Sequence, residues 1–292
     1  MTIDLAVVNA TETFDRIVHP LADRGIDATH LPVTGRTIPL GDPPWSPETV
    51  DVGFVYPGRL MEGAVADAFL AVPWVNGREA VLTSRNKAGV LARLERAGLP
   101  VPETVYVSSP VDESALRALF ERFDPPVVLK PNSTTRGVGV ARADDLDSFL
   151  GICDYLGLVH SYPATADRSF LVQEYIAEAT DIRAMVLEGR VVGAVERRLS
   201  APAREAGQWK HNVHLGAMAT ATDLSEALRN LAEQAGDVCE IPFCGVDLLV
   251  TDDRTVVSET NARPTIDAAE KYDDDFYDRL AATIRARADP GA

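Results

Sequence analysis

Residues 127–140 read Val-Val-Leu-Lys-Pro-Asn-Ser-Thr-Thr-Arg-Gly-Val-Gly-Val. The apolar run predicts a buried strand that ends at Lys130, and the small polar residues after it predict a loop. Its glycines allow backbone N–H groups to approach oxygen atoms, so the loop can close over phosphate groups. An ordinary hairpin is the alternative interpretation. The stretch matches neither the Gly-Lys-Ser/Thr phosphate loop nor the glycine pattern of dinucleotide-binding domains.

Lysine is rare in this chain: only four lysines stand among the 28 lysine and arginine residues. Three of them, Lys87, Lys130 and Lys210, are predicted to meet phosphate, because a lysine ammonium is a compact, strongly hydrated charge. Lys87 opens a predicted helix and Lys130 ends a predicted strand. Lys210 lies in residues 209–212, which read Trp-Lys-His-Asn.

Three oxygen-bearing side chains accompany these lysines. Asp247 lies in an apolar predicted strand, where a carboxylate is costly unless it is paired or binds a metal. Glu259 and Asn261 are two residues apart on the next predicted strand, so both point to one face. Hard oxygen ligands near a lysine predict a Mg²⁺–nucleotide site. A turn cap or a surface salt bridge is the alternative.

Two further stretches carry polar groups at the ends of predicted strands. Residues 173–176, Gln-Glu-Tyr-Ile, either hydrogen-bond adenine or form a plain amphipathic strand. Cationic and amide donors gather between residues 183 and 214, which suits a phosphate or carboxylate substrate. Pairing of some of them with acids on a solvated face is the alternative. These donors are Arg183, Arg197, Arg198, Lys210, His211, Asn212 and His214.

The bulk composition argues against several classes of function. The 292 residues are 46% hydrophobic, which is enough for two or three small domains. The net charge of −16 repels phosphate backbones and anionic membranes, so we expect no nucleic-acid and no membrane partner. No apolar run approaches the ~20 residues of a membrane span. The acid excess with little lysine also fits a salt-loving cytosol.

The three cysteines are odd in number and lack Cys-x-x-Cys spacing. We therefore expect Cys153, Cys239 and Cys244 to be reduced, mostly buried thiols in a cytoplasmic protein.

Strands and helices alternate at the amino-terminal end and predict a small parallel α/β domain. A single helix is predicted over residues 83–97, with Ser84 as its cap. Hairpins are predicted around Glu188-Gly189 and around residues 252–254. The chain is divided into an amino-terminal α/β domain (1–78), a central subdomain (79–168) and a carboxyl-terminal subdomain with the metal site (169–292).

The order of these motifs resembles the ATP-grasp superfamily, and more closely its RimK-type alpha-L-glutamate ligases. The resemblance covers roughly residues 75–265. It implies an α/β (α+β) ATP-grasp fold, in which a small parallel α/β domain precedes two subdomains that hold ATP between them. The motifs that carry it are Lys87, residues 130–132, 137–140, 173–176, 181–183 and 209–212, Asp247, and residues 259–261.

The resemblance also implies roles for individual residues. It assigns ATP binding to Lys87, Lys130, Ser133, Gly137, Gly139, Gln173, Glu174, Tyr175, Ile176, Asp181 and Arg183. In that set the lysines contact phosphates, residues 133–139 form a mobile loop, residues 173–176 line adenine, and Asp181 reaches the ribose. It assigns catalysis to Arg197, Lys210 and Asn212. It assigns two Mg²⁺ ions, with Mn²⁺ as the alternative, to Asp247, Glu259 and Asn261.

The implied activity is ATP-dependent carboxylate–amine ligation through an acyl phosphate, with L-glutamate added to a small cofactor or metabolite carboxylate. One alternative is the same chemistry on a protein C-terminus or an amino-acid carrier protein. A non-catalytic ATP-binding regulator is the other. The relatives imply a homo-oligomer. Replacing Asp247 or Glu259 with alanine is expected to abolish turnover and leave the fold largely intact. Arg263-Pro264-Thr265 stands where many relatives carry a Ser-Pro-Gly type run, and Arg263 has no implied role.

Overall fold

The computed structural model of the protein describes residues 2–9, 11–43, 47–135, 137–159, 167–210 and 217–289. Three β-sheets form the frame of these residues, and helices cover the sheets. This mixed α/β architecture confirms the predicted fold class. No helix among the described residues has both the length and the apolar character that a membrane crossing requires.

The first sheet is parallel and belongs to the amino-terminal part of the chain. Its strands are β1 (Ile3–Val7), β2 (Ile26–His30), β3 (Val52–Phe54) and β4 (Trp74–Val75), in the order β2-β1-β3-β4. Helix α1 (Thr11–Ala22) links β1 to β2, and helix α2 (Leu60–Leu70) links β3 to β4. β2 lies on one side of β1 and β3 lies on the other. This arrangement leaves a crevice at the carboxyl ends of β1 and β3.

Two short helices connect this sheet to the next one. Helix α3 (Arg78–Arg85) and helix α4 (Lys87–Arg96) meet at Asn86, whose backbone is not helical. The Asn86 side chain accepts a hydrogen bond of 3.0 Å from the Gly89 N–H and so caps α4. The predicted single helix over residues 83–97 is therefore wrong, and so is the predicted cap at Ser84.

Ser84 instead hydrogen-bonds two backbone groups near the carboxyl-terminal end of a strand in the third sheet. Its hydroxyl donates to the Thr260 carbonyl oxygen at 2.9 Å and accepts from the Ala262 N–H at 2.9 Å. Helix α3 is thereby fixed to the end of a strand more than 170 residues later in the chain.

The central sheet is antiparallel. It contains β5 (Thr104–Ser108), β6 (Val127–Pro131), β7 (Ala141–Ala143) and β8 (Ser169–Glu174), in the order β5-β8-β6-β7. Helices α5 (Glu113–Phe120) and α6 (Leu146–Val159) pack on it, and Phe149 is fully buried in this core. The predicted carboxyl-terminal subdomain begins at residue 169 and so includes β8, but β8 is hydrogen-bonded within the central sheet. The division into three parts otherwise stays a prediction.

The third sheet is antiparallel and carries most of the candidate site. Its order is β11-β10-β9-β12-β13, with β9 (Thr180–Leu187), β10 (Arg190–Arg198), β11 (Met218–Ala221), β12 (Phe243–Val250) and β13 (Thr255–Asn261). The pairs β9–β10 and β12–β13 confirm the two predicted hairpins. Helices α7 (Ala201–Glu205), α8 (Glu226–Cys239) and α9 (Phe276–Ala288) complete the chain. All three cysteines are free and buried, as expected.

Asn76 joins the first sheet to the third. It is fully buried at the end of β4, with a φ of 56°. Its amide nitrogen donates to the carbonyl oxygens of Phe243 and Ala262, and its oxygen accepts from the Phe243 N–H at 2.8 Å. One side chain thus satisfies three buried backbone groups at the carboxyl-terminal sheet.

Replacing Asn76 with alanine removes the side-chain partner of these three groups. We expect Asn76→Ala to lower the free energy of unfolding by about 2–4 kcal/mol, because a buried polar group left unpaired costs about 1–3 kcal/mol. Urea denaturation measures the change. Glu240→Ala is the matched control, because Glu240 has a similar φ of 54° and an exposed side chain. Equal losses in the two variants would contradict the assignment to hydrogen bonds.

Candidate functional site

A cleft of about 1650 Å³ lies where the three sheets meet. The predicted site residues that line it are Lys87, Lys130, Gly137, Gln173, Glu174, Tyr175, Ile176, Asp181, Arg183, Arg197, Lys210, Asp247, Glu259 and Asn261. Ser133 and Gly139 do not line it, although Thr134, Thr135 and Val138 of the same loop do. Asn212, His211 and His214 lie outside the described residues.

Lys130 projects from β6 beside the neighbouring strand β8. Its ammonium donates to the Gln173 side-chain oxygen at 2.6 Å, and the Gln173 amide donates to the Thr104 hydroxyl at 2.8 Å. Burial lowers the pKa of Lys130, and the charge of Glu259 acts in the opposite direction. The ammonium thus lines the cleft from a partly buried position, where its charge acts more strongly on an anionic ligand than it would in bulk water.

Lys87 connects the loop after β6 to the hairpin β12–β13. It is 8% exposed, and its ammonium donates to the Thr134 carbonyl oxygen. The same ammonium lies 3.4 Å from a Glu259 carboxylate oxygen. Asn132 fixes this arrangement, because its side-chain oxygen accepts from the Ala88 N–H at 2.9 Å. The start of α4 is thereby held against the end of β6.

A buried ion network occupies the floor of the cleft. Arg183 of β9 donates to both oxygens of Asp247 on β12, at 2.6 and 2.8 Å. Arg197 of β10 lies 3.0 Å from the second of those oxygens. Burial of Asp247 would raise the pKa of its carboxyl group, but the two arginines outweigh it and hold that pKa below its usual range. Asp247 is therefore charged at any physiological pH.

Asp181 completes this network from the start of β9. The Arg197 guanidinium donates to one Asp181 carboxylate oxygen through both Nε, at 3.0 Å, and Nη2. Burial would lower the pKa of Arg197, but the carboxylates of Asp247 and Asp181 raise it. Arg197 is thus held between two carboxylates. The ribose contact of Asp181 stays a prediction, and the contact with Arg197 is a role that the sequence did not reveal.

The three predicted metal ligands lie on one face of the hairpin. Asp247 and Glu259 are opposite each other in the β12–β13 pair, and Asn261 is two residues beyond. A β-bulge next to Asp247 and Glu259 adjusts the register there. Two carboxylates and an amide offer only oxygen ligands, which suits Mg²⁺. Within the described part of the chain, no group of three or more His, Cys, Asp or Glu side chains forms a metal site.

The three predicted ligands differ in how many hydrogen bonds and ion pairs their side-chain oxygens already accept. Asp247 accepts three charged contacts from arginines, out of the roughly four that a carboxylate can accept. Asn261 accepts the Arg263 N–H at 2.9 Å. Among the described residues, the Glu259 carboxylate contacts Lys87 alone, through a long ion pair, so it has the most capacity left of the three. Oxygen ligands of this kind fit a divalent metal, and the assignment of Asp247, Glu259 and Asn261 as its ligands stays a prediction.

Aromatic and cationic side chains surround the opposite end of the cleft. The rings of Tyr175 and Trp209 meet edge to face at 6.0 Å. Arg142 lies 5.5 Å from the Tyr175 ring, and the Lys210 ammonium lies 5.6 Å from the Trp209 ring. Burial lowers the pKa of Lys210. Flat rings next to the exit of β8 are compatible with a planar base, and Arg142 was missed because it lies on a short strand without a motif.

The chain is similar to known proteins over most of its length. The family model described as the RimK-like ATP-grasp domain matches residues 84–284. A probable alpha-L-glutamate ligase of Klebsiella pneumoniae is 33% identical over 219 residues, which cover 74% of this chain and 68% of that protein. Another, of Thioalkalivibrio sulfidiphilus, is 33% identical over 220 residues, with coverages of 74% and 68%.

Solved structures share the fold over almost the whole chain. The RimK domain protein ATP-grasp from Sphaerobacter thermophilus has a TM-score of 0.68 at 20% identity, covering 97% of this chain and 99% of that one. The D-alanine–D-alanine ligase from Bacillus anthracis, complexed with ATP, has a TM-score of 0.71 at 15% identity, with coverages of 98% and 97%. At these identities the likeness concerns the fold alone.

The ion network changes what is expected of an Asp247 variant. Removing the carboxylate leaves Arg183 and Arg197 facing each other in a buried site, so Asp247→Ala should lower the free energy of unfolding by about 3–5 kcal/mol. The earlier expectation of a largely intact fold is revised accordingly. Urea denaturation gives the value.

Asp278→Ala is the matched control for this prediction. Its ion pair with Arg24 has the same length of 2.6 Å as that of Asp247 with Arg183, but the Asp278 side chain is 66% exposed against 8% for Asp247. An exposed pair contributes about 1 kcal/mol or less. A loss for Asp247→Ala no larger than that for Asp278→Ala would show that the network does not stabilise the fold.

Proposed function

Because the chain belongs to the RimK-like ATP-grasp family of ligases, we propose that it joins L-glutamate to the carboxylate of a small metabolite or cofactor while ATP is converted to ADP and phosphate. The observation that carries this proposal is the convergence of Lys87, Lys130 and Arg197 with Asp247 and Glu259 in one cleft. The names of the relatives support glutamate as the amine. ATP binding follows from the family.

In the proposed reaction, an oxygen of the acceptor carboxylate attacks the γ-phosphorus of ATP, and the bond from that phosphorus to the bridging oxygen of ADP breaks. The α-amino nitrogen of glutamate then attacks the carbonyl carbon of the acyl phosphate. The bond from that carbon to the phosphate oxygen breaks, free phosphate leaves, and the nitrogen loses a proton as the amide forms. Lys87, Lys130 and Arg197 offset charge on the transferring phosphoryl group. Lys87 and Arg197 are mostly buried, and their charges are screened less than they would be in bulk water.

A divalent metal would be held by Glu259, with Asn261 and the remaining capacity of Asp247. When bound, it neutralises charge on the phosphate oxygens. We propose Mg²⁺, in two sites, with Mn²⁺ as a substitute. The chain's own part is to hold these oxygens on one face: β12 and β13 fix two of the ligands opposite each other, and Arg183 keeps Asp247 charged.

Water must be kept from the acyl phosphate for amide formation to succeed. We propose that residues 133–139 close over the phosphates, with Gly137 at the cleft and Lys87 already bonded to the Thr134 carbonyl. No covalent intermediate on the enzyme is part of this scheme. Burial raises the pKa of Cys153 and Cys239, to about 12 and about 11, so their thiols are poor nucleophiles. A homo-oligomer and a cytoplasmic location remain predictions.

The test of the reaction is ADP release by the purified protein with Mg²⁺ and ATP, in high salt, over twenty amino acids together with a metabolite fraction. We expect release that depends on L-glutamate and a glutamyl adduct in the mass spectrum. Lys130→Met should lower the rate by about a hundredfold or more. Lys271→Met is the control, since Lys271 lies outside the cleft and pairs with Asp267.

Each alternative has its own outcome in this assay. Release that depends on a different amino acid would keep the ligase and remove glutamate. Release that occurs only with a protein fraction would indicate a protein C-terminus or a carrier protein as acceptor. ATP binding without any release would leave the non-catalytic regulator.

A second test separates the two roles of Asp181. If Asp181 orients Arg197, Asp181→Asn should lower kcat by about a hundredfold and leave the KM for ATP nearly unchanged, because a misplaced transition-state donor costs that much. If Asp181 binds the ribose, the variant should raise the KM for ATP and lose any discrimination against 2′-deoxy-ATP. Asp253→Asn, in the exposed β12–β13 turn, is the control.

A further inference from the structure

The cleft extends beyond the metal ligands to the carboxyl ends of β1 and β3. We name this extension the amino-terminal lobe and define it by six of its polar lining residues: Asn9, His30, Arg59, Arg85, Arg263 and Thr265. It lies at the point where the chain leaves β1 in one direction and returns to β3 on the other side. Open parallel sheets bind ligands at such points.

The two parts of the cleft differ in charge. All carboxylates among its described lining residues belong to the nucleotide part: Glu174, Glu178, Asp181, Glu196, Asp247 and Glu259. The described lining of the amino-terminal lobe contains three arginines and a histidine and no carboxylate, and Arg59 of these arginines forms an ion pair with Glu62, outside the lining, at 2.9 Å. The chain as a whole carries a net charge of −16. A local cationic lining in such a chain favours an anionic ligand.

Arg85 is the cation in this lobe with most capacity for a ligand. One of its N–H groups donates to the Gly58 carbonyl oxygen at 2.7 Å. No carboxylate among the described residues forms an ion pair with it. A guanidinium has five N–H donors in a planar fork that matches a carboxylate. Arg85 can therefore bind a carboxylate while keeping its contact with Gly58.

Arg263 brings a second guanidinium next to the first. It donates to the carbonyl oxygens of Val55 and Tyr56 and to the Asn9 side chain, so its position is fixed by the ends of β1 and β3. Gly58 lies between the two groups: a Cβ there would be 3.2 Å from Arg263 Nε and 3.5 Å from Arg85 Nη2. The absence of a side chain at residue 58 leaves room for both guanidinium groups.

The lobe is adjacent to the phosphate site but separate from it. Arg85 and Lys87 flank Asn86, and Lys87 contacts Thr134 and Glu259 in the nucleotide part, whereas Arg85 contacts Gly58 in the lobe. Asn261 and Arg263 are likewise two residues apart, with Asn261 in the nucleotide part and Arg263 in the lobe. A ligand in the lobe therefore lies beside the reacting groups without replacing the nucleotide.

We propose that the amino-terminal lobe binds a carboxylate group of one of the two substrates, other than the carboxylate that ATP phosphorylates. Arg85 is the main ligand of this group, and Arg263 lies beside it. This inference rests on the proposed function and adds a specificity for substrates that carry a second carboxylate. That carboxylate belongs either to the amine substrate or to the acceptor, and the probes below distinguish the two sources.

The test is calorimetric binding to the full-length protein with Mg²⁺ and a non-hydrolysable ATP analogue. The probes are L-glutamate against L-glutamine for the amine, and glutarate against glutaramate for the acceptor. We expect one dicarboxylate to bind about tenfold or more tightly than its amide, since a charge-assisted pair is lost in the amide. Arg85→Gln should remove that preference, and Arg85→Lys should restore part of it.

Arg78→Gln is the matched control. Arg78 lies on the same helix, is 50% exposed and is not part of the cleft, so its variant should keep the preference. The proposal is overturned if neither dicarboxylate binds the wild type, if both bind no better than their amides, or if Arg85→Gln behaves like Arg78→Gln. The affinity for the ATP analogue should stay within about twofold in Arg85→Gln, which excludes general damage to the cleft.

The failure of this inference can be told from the failure of the ligase function. Amino-acid-dependent ADP release by the wild type, without any binding preference, would overturn only the carboxylate site. A binding preference that depends on Arg85, without any ADP release, would overturn only the ligase reaction.

Discussion

The attraction between Asp247 and its two arginines is the interaction on which the geometry of the cleft depends. A buried carboxylate stays charged only if opposite charges face it. Arg183 on the adjacent strand β9 and Arg197 on β10, one strand further, meet this condition. The network therefore fixes β9, β10 and β12 relative to one another at the level of the reacting groups. It also keeps Arg197 in place before any ligand binds, because Asp181 holds its other side.

The remaining elements bring cations to this floor from outside the third sheet. Lys130 comes from the central sheet and Lys87 from the start of α4. Hydrogen bonds from polar side chains to backbone groups hold these elements together: the Ser84 hydroxyl joins α3 to β13, and the Asn76 amide joins β4 to β12. The site therefore depends on a few polar side chains at the junctions between the sheets as much as on the residues that face the ligand.

Much of this arrangement could be predicted from the sequence, for physical reasons. Lys130 follows an apolar run, and Glu259 and Asn261 alternate on one strand, so local periodicity was enough to predict strands and faces. Asn86 interrupts a helical pattern through its own backbone conformation, and the pattern did not reveal it. Asn76 and Arg263 act through partners 167 to 254 residues away, and no local signal contains such contacts. The membership of β8 in the central sheet was missed for the same reason.

The break between helices α3 and α4 at Asn86 has a consequence for the thermodynamics of binding. Arg85 is the last residue of α3 and Lys87 is the first residue of α4, and the two side chains line different parts of one cleft. Because only Asn86 separates the two cations, a change in its backbone conformation would alter the contacts of both. Linkage then requires reciprocity: the factor by which a nucleotide alters the affinity for a ligand beside Arg85 equals the factor by which that ligand alters the affinity for the nucleotide.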